Sequence, residues 1–212
     1  VKIDIISDLH LKEKGEIEAV KGAGEIIVVA GDISNNIEIV ASYLNFLSKN
    51  YKAVLFTLGN IELWHKNPAN QIETLKNSVN KNVYLLNFLR CIKINGKRIV
   101  GGLYFSRNFL TPNDKEKIAN GDNSFLTKLE NTSRINLHKK IKTFNPQIVI
   151  THYPPVSTRN IKKLNTTKID NFNRIWIFGH YHQFTNFFGK DEFNKDTLYI
   201  CNCSKKPLSI EF

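Results

Sequence analysis

Five short runs constrain this chain more than anything else in it: residues 2–6 (KIDII), 25–30 (EIIVVA), 53–58 (AVLFTL), 147–151 (QIVIT) and 174–178 (RIWIF). Each has strand length, is rich in β-branched residues and is apolar almost without interruption, the pattern of strands covered on both faces. Amphipathic segments separate them. Residues 36–49 carry Ile37, Val40, Tyr43, Leu44 and Leu47 at helical spacing, with Asn35 or Asn36 as the cap. Pro68 stands near the start of a second helix with Ile72, Leu75 and Val79 on one face. A third spans residues 123–144, with Phe125, Leu126, Leu129, Ile135 and Ile141 inward. Residues 83–105 have a different texture, because Asn95-Gly96 between alternating apolar arms is a strong hairpin signal. The later segments FTNFFG, TLYICN and PLSIEF read as further short strands. These elements predict an α/β chain of two packed sheets with helices outside. No Pro/Gly/Ser-rich linker divides it, so one domain over residues 1–212 is expected.

A hydrophobic fraction of 42% supplies a sizeable core and excludes global disorder. No apolar stretch approaches the roughly 18 residues of a membrane span, and the opening VKIDIISDLH becomes charged too early for a signal peptide. A soluble, cytoplasmic protein with no membrane partner is the expectation. The cysteines, Cys91, Cys201 and Cys203, form no Cys-x-x-Cys pair. Cys201 and Cys203 would share a strand face as buried free thiols. The formal charge of +11 fits polyanionic partners, either phosphorylated substrates or nucleic acid, but it also fits a chain rich in lysine throughout. The lysines are scattered, with no block of five like charges. Gly22-Ala23-Gly24 reads as a turn, lacking the strand-first context of a nucleotide-binding loop. His138, beside Lys139 and Lys140, reads as part of a solvated helix face.

The residues at the end of each buried run are more telling. After KIDII comes Ser7-Asp8-Leu9-His10, and after EIIVVA comes Gly31-Asp32. After AVLFTL come Gly59-Asn60, after QIVI come Thr151-His152, and after RIWIF comes Gly179-His180-Tyr181-His182. Singly, the first four fit ordinary turns, caps or loops, while Gly179-His180-Tyr181-His182 is the most specific, since two imidazoles one residue apart beside glycine commonly bind metal. As an ordered set they place Asp, Asn and His at five successive strand ends, where α/β proteins gather their ligands. These residue types are also oxygen and imidazole donors for divalent transition metals.

With these residues in view, the chain resembles the calcineurin-like metallophosphoesterase superfamily, whose pattern is Asp-x-His, Gly-Asp, Gly-Asn-His-Asp/Glu, a later His, then Gly-His-x-His. The resemblance spans residues 8–182. It implies a four-layer α/β/β/α sandwich with a two-metal site at its strand ends. Asp8, His10, Asp32 and His182 would hold one ion, and Asp32, Asn60, His152 and His180 the other, with Asp32 bridging. It further implies hydrolysis of a phosphomonoester or phosphodiester by a metal-bridging hydroxide, with Asp32, Asn60 and His152 at the catalytic centre. The ions would be two divalent metals, Mn²⁺ ahead of Fe or Zn²⁺. A phosphorylated small molecule or nucleotide is the expected substrate.

One motif position departs from the family. The motif histidine is Ile61 here, in TLGNIELW, which leaves Glu62 without its usual partner. Isoleucine has no proton to give, and general acid catalysis contributes roughly 10²–10⁴-fold. His65, Arg107 and Tyr181 are the candidates to replace it or to contact substrate. The alternatives are a substrate whose leaving group needs little help, or a weakly active or inactive member of the fold serving as a binding module.

Overall fold

The structure, a computed structural model, describes residues 2–18, 22–155 and 172–211. The five apolar runs are strands β1 (Lys2–Ile6), β2 (Ile26–Val29), β3 (Ala53–Phe56), β7 (Ile148–Thr151) and β8 (Arg174–Phe178). Between and after them come β4 (Val83–Leu85), β5 (Ile92–Ile94), β6 (Lys97–Gly102), β9 (Thr185–Lys190), β10 (Asp196–Cys201) and β11 (Leu208–Glu211). The first sheet runs β11-β1-β2-β3-β4, parallel except for β11. The second runs β5-β6-β7-β8-β10-β9, parallel at its centre, with β5 and β9 antiparallel at the edges. Asn95 and Gly96, with φ of 48° and 82°, turn β5 into β6 as the hairpin signal predicts.

Strand alternation explains the near-continuous apolarity. Ile3, Ile5, Ile26, Val28 and Leu55 meet Ile99, Ile148, Ile150, Ile175 and Ile177 between the sheets. Burying each is worth about 1.5–3 kcal/mol. Their strand neighbours Ile27, Val29, Val54 and Phe56 face outward to α1 (Ile37–Leu47) and α2 (Pro68–Ser78). On the other side Val100, Val149 and Trp176 pack under Leu137 and Ile141 of α4 (Asn123–Phe144). The layers are therefore helix, sheet, sheet, helix. Asn36 caps α1 through its side chain, and Pro68 occupies the first turn of α2.

Local expectations are corrected at Ile135, His138 and Cys203, and one element appears that the sequence pattern does not announce. Ile135 is 52% exposed: it lies two residues from Leu137, on the opposite side of the helix, while Leu126, Leu137 and Ile141 are the buried ones. A short helix that no apolar periodicity announces, α3 (Pro112–Lys117), precedes α4 and is held by a Thr111–Asp114 capping box. His138 is not simply solvated, since its Nε2 lies 2.8 Å from Glu192 Oε1. The thiols of Cys201 and Cys203 are free, with sulfurs 3.2 Å apart, but β10 ends at Cys201, so Cys203 lies beyond the strand and is only half-buried. No helix among the described residues is long and apolar enough to cross a membrane.

Candidate metal centre

The carboxyl ends of β1, β2 and β3 in one sheet and of β7 and β8 in the other deliver their polar residues to one place. Donor atoms of Asp8, His10, Asp32 and His182 lie within 4.8 Å of one another, as do those of Asp32, His152 and His180, so Asp32 belongs to both groups. Asn60 joins the second, its Oδ1 being 2.9 Å from His152 Nε2 and 2.9 Å from His180 Nδ1. Asp32, Asn60 and His152 are buried, whereas His10 and His182, their rings stacked 5.0 Å apart, are exposed at the mouth.

The backbone takes an unusual course to do this. Asp8, His10, Asp32, His180 and His182 all have φ between 49° and 65°, the left-handed region, which is rare outside glycine but tolerated best by Asp, Asn and His. Two glycines clear the space. A Cβ on Gly31, itself at φ 88°, would stand 2.5 Å from His152 Nδ1, and one on Gly59 would stand 2.0 Å from Asp32 Oδ1.

Outer contacts fix which atoms face inward. His152 Nδ1 lies 2.7 Å from the Ala30 carbonyl, which can only accept, so this nitrogen carries the proton and Nε2 is bare in the neutral ring. By the same logic His180 donates from Nε2 to the Phe109 carbonyl at 3.2 Å and turns a bare Nδ1 inward. Asn60 donates its amide to Asp114 Oδ1 at 2.7 Å, which points Oδ1 at the imidazoles. His152 Nε2, His180 Nδ1, Asn60 Oδ1 and, at 3.4 Å from His152 Nε2, Asp32 Oδ1 thus converge as acceptors with no N–H among them. Such a set repels itself unless a cation sits within it. The residues therefore fit a metal: neutral imidazoles, an amide oxygen and a shared carboxylate are the donor types that divalent ions accept.

The electrostatics point the same way. Burial, and then the charge of Asp8, hold the Asp32 carboxyl well above the usual range. Burial opposes ionisation of Asp8 too, but His152, Ser7, Cys203 and His182 bring it below its ordinary value. Burial, then His152, push His180 down to about 4, so its ring is neutral and ready to ligate. Burial likewise lowers His10.

Glu62, without the motif imidazole, is not left unpaired. It is fully buried and accepts from four backbone N–H groups: Gly59 (2.6 Å), Asp32 (3.0 Å), Ile33 (2.6 Å) and Ser34 (3.2 Å). It thereby ties the Gly31-Asp32 turn to the Gly59-Asn60 turn. Burial, then the charge of Asp32, push its carboxyl up to about 7, against the pull of those donors. Ile61 is buried, and its backbone N–H donates to Asp32 Oδ1 at 3.1 Å. Asp114 is the residue that sequence reasoning missed. It also accepts from the Trp64 indole at 2.9 Å, and its signal was the capping pattern Thr111-Pro112-Asn113-Asp114.

Two of the three candidates for the place left by Ile61, His65 and Arg107, are engaged elsewhere. His65 Nε2 lies 2.8 Å from the Asn35 carbonyl. Arg107 donates to Thr127 Oγ at 2.7 Å and faces Glu130. Tyr181 packs on the outer core of the second sheet.

A family model for the calcineurin-like phosphoesterases matches residues 1–184. This chain belongs to that family. Membership supports metal-dependent hydrolysis of a phosphorylated substrate as its general activity, with divalent metal ions as cofactor. Among solved structures, the phosphopantetheinyl hydrolase of Mycobacterium tuberculosis aligns with a TM-score of 0.64 at 14% identity, covering 96% of this chain and 90% of that one. At that identity the likeness is one of fold. A protein of unknown function from Aquifex aeolicus aligns with a TM-score of 0.33 at 16% identity, over 74% of this chain and 81% of that one. No curated protein matches the sequence.

Proposed function

We propose that this chain, acting as a single calcineurin-like domain, is a dinuclear phosphoesterase that hydrolyses a small phosphorylated molecule, either a monoester or a diester. The observation that carries this is the convergence of bare acceptors around the shared carboxylate of Asp32. Asp8, His10, Asp32 and His182 would hold one ion, and Asp32, Asn60, His152 and His180 the second. Two such ions, Mn²⁺ being the first to test, would activate water and draw charge from the phosphoryl oxygens. The protein's own part is positional. Ala30 and Phe109 keep the imidazole protons outward, Asp114 keeps the Asn60 oxygen inward, and Glu62 locks the two turns that carry Asp32 and Asn60. His10 and His182, at the exposed mouth, mark the side from which substrate arrives.

Ile61 gives no proton to a leaving group, and His65 and Arg107 are engaged elsewhere. The proposed substrate therefore has a leaving group that departs without strong acid assistance. The same residue favours a second reading, a weakly active or inactive member of the fold that serves as a binding module. The test is hydrolysis of paired aryl phosphomonoesters and phosphodiesters by the Mn²⁺-reconstituted protein, with Asp32→Asn as control. Turnover on one probe, lost in Asp32→Asn, supports the enzyme. Two bound ions without turnover on either probe favour the second reading, and failure to bind metal overturns both.

A further inference from the structure

Where α4 passes over the end of β6, a cavity of about 240 Å³ lies between that helix, α2 and the segments following β3 and β4. Its walls are mainly apolar, formed by Leu58, Leu63, Ile72, Leu103, Leu129 and Leu137. None of the seven metal-centre donors lines it. It is nevertheless close in the fold, because Leu58 and Leu63 flank Asn60 in the chain and Gly102 pairs with Thr151, the residue before His152.

Gly102 is the first clue. It is a buried strand residue outside the left-handed region, and a Cβ added to it would meet nothing within 4 Å. Its neighbour Gly101 is different, since a Cβ there would approach the Ile150 carbonyl to 2.7 Å. Packing thus requires glycine at 101, while nothing in the chain itself requires it at 102. A glycine inside a strand weakens the strand and marks close approach of a ligand or another backbone. Here the space beside it is the cavity.

Lys140 is the second clue. It reaches in from α4 and its ammonium donates to the Leu86 and Gly101 carbonyls at 3.0 and 2.9 Å. An ammonium has three protons, so one remains. Burial pushes this group down to about 8, the mark of a charge without a compensating partner. Among the described residues, no carboxylate lines the cavity. Asn87 lines it as well; its Oδ1 is occupied by the Leu58 N–H and the Thr57 hydroxyl, leaving its amide N–H groups as donors.

We propose that this cavity binds a small monocarboxylate, whose anionic head is taken by Lys140 Nζ and the Asn87 amide and whose apolar body fills the space beside Gly102. Charge complementarity selects the class. One ammonium balances a carboxylate, whereas a phosphate dianion would bring a second charge into an apolar hollow. The volume lies below the roughly 300–1,000 Å³ of pockets for drug-sized ligands, so the body is a short chain or a single ring. The acid is either free or the tail of the protein's own substrate.

The experiment is calorimetric titration of the metal-loaded protein with octanoate and with its neutral counterpart 1-octanol. Saturable one-to-one octanoate binding is expected, at least about tenfold tighter than octanol. Lys140→Gln should erase that preference, and Gly102→Leu should abolish binding of both while leaving the protein folded. The Gly102 variant keeps the test decisive if Lys140→Gln does not fold. No saturable octanoate binding, equal binding of the two probes, or undiminished binding by Gly102→Leu would overturn the proposal. Competition between octanoate and a phosphoester that carries a carboxylate tail, lost in Gly102→Leu, assigns the carboxylate to the substrate, and independent binding of the two assigns a separate ligand.

Discussion

Glu62→Gln is the substitution that separates a scaffolding carboxylate from a spectator. Glu62 Oε1 takes the Ile33 and Ser34 N–H groups, and Oε2 takes those of Gly59 and Asp32. Glutamine keeps the shape but has one acceptor oxygen, so its NH₂ must face one of these pairs. Two buried donors then lose their acceptor, at about 1–3 kcal/mol each. The metal-free protein recovers part of this, because the variant removes a buried charge beside Asp32. With a cation compensating Asp32, that relief disappears. Thermal unfolding with excess Mn²⁺ should therefore show a loss of about 3 kcal/mol, or roughly 6–12 °C in a chain of this size. The loss with chelator present should be smaller. Mn²⁺ affinity should fall about 10–100-fold, since the turns carrying Asp32 and Asn60 are no longer tied. Equal melting temperatures of variant and parent in both buffers, with unchanged affinity, would refute the reasoning.

Asp114→Asn should weaken metal binding by about 10–100-fold at modest cost in stability, because the Asn60 amide is freed to turn its oxygen outward; metal titration followed by calorimetry checks this. Ile61→His should raise turnover on phosphoesters with poor leaving groups by up to about 10²-fold and leave activated aryl esters nearly unchanged, a split visible in the dependence of kcat on leaving-group pKa. Lys140 has its pKa lowered by burial to about 8, so between that value and the unfolded pKa near 10.5 the unfolded chain binds more protons. Stability relative to Lys140→Met should therefore rise as pH increases from about 8 to 10.5, and denaturant melts across that range measure it.

Much of this was legible in the letters because two-sided burial leaves a distinctive trace. The strands read as apolar runs, and the polar residues that end them stand out for the same reason. Asp114 was hidden for the opposite reason: α3 is six mostly polar residues held by a cap, which hydrophobic periodicity cannot register. Glu62 was misread because its partners are backbone N–H groups, which every non-proline residue carries and no letter distinguishes. Ile135 reads as inward by its hydrophobicity alone, although the geometry of a straight helix puts it opposite Leu137.

The left-handed residues at the strand ends act as a filter on the donor set. A backbone held at φ near 50–65° accepts Asp, Asn or His at little cost, but penalises most other L-residues by roughly 1–2 kcal/mol. The absence of glutamate from the five positions at which Asp8, His10, Asp32, His180 and His182 stand is thus a conformational matter as much as one of coordination chemistry. The same filter bears on how a ligand deletion is interpreted. Asp32→Asn changes charge on a backbone that asparagine accepts, whereas Asp32→Ala removes the donor and strains the turn together. Only the first reports on the carboxylate alone.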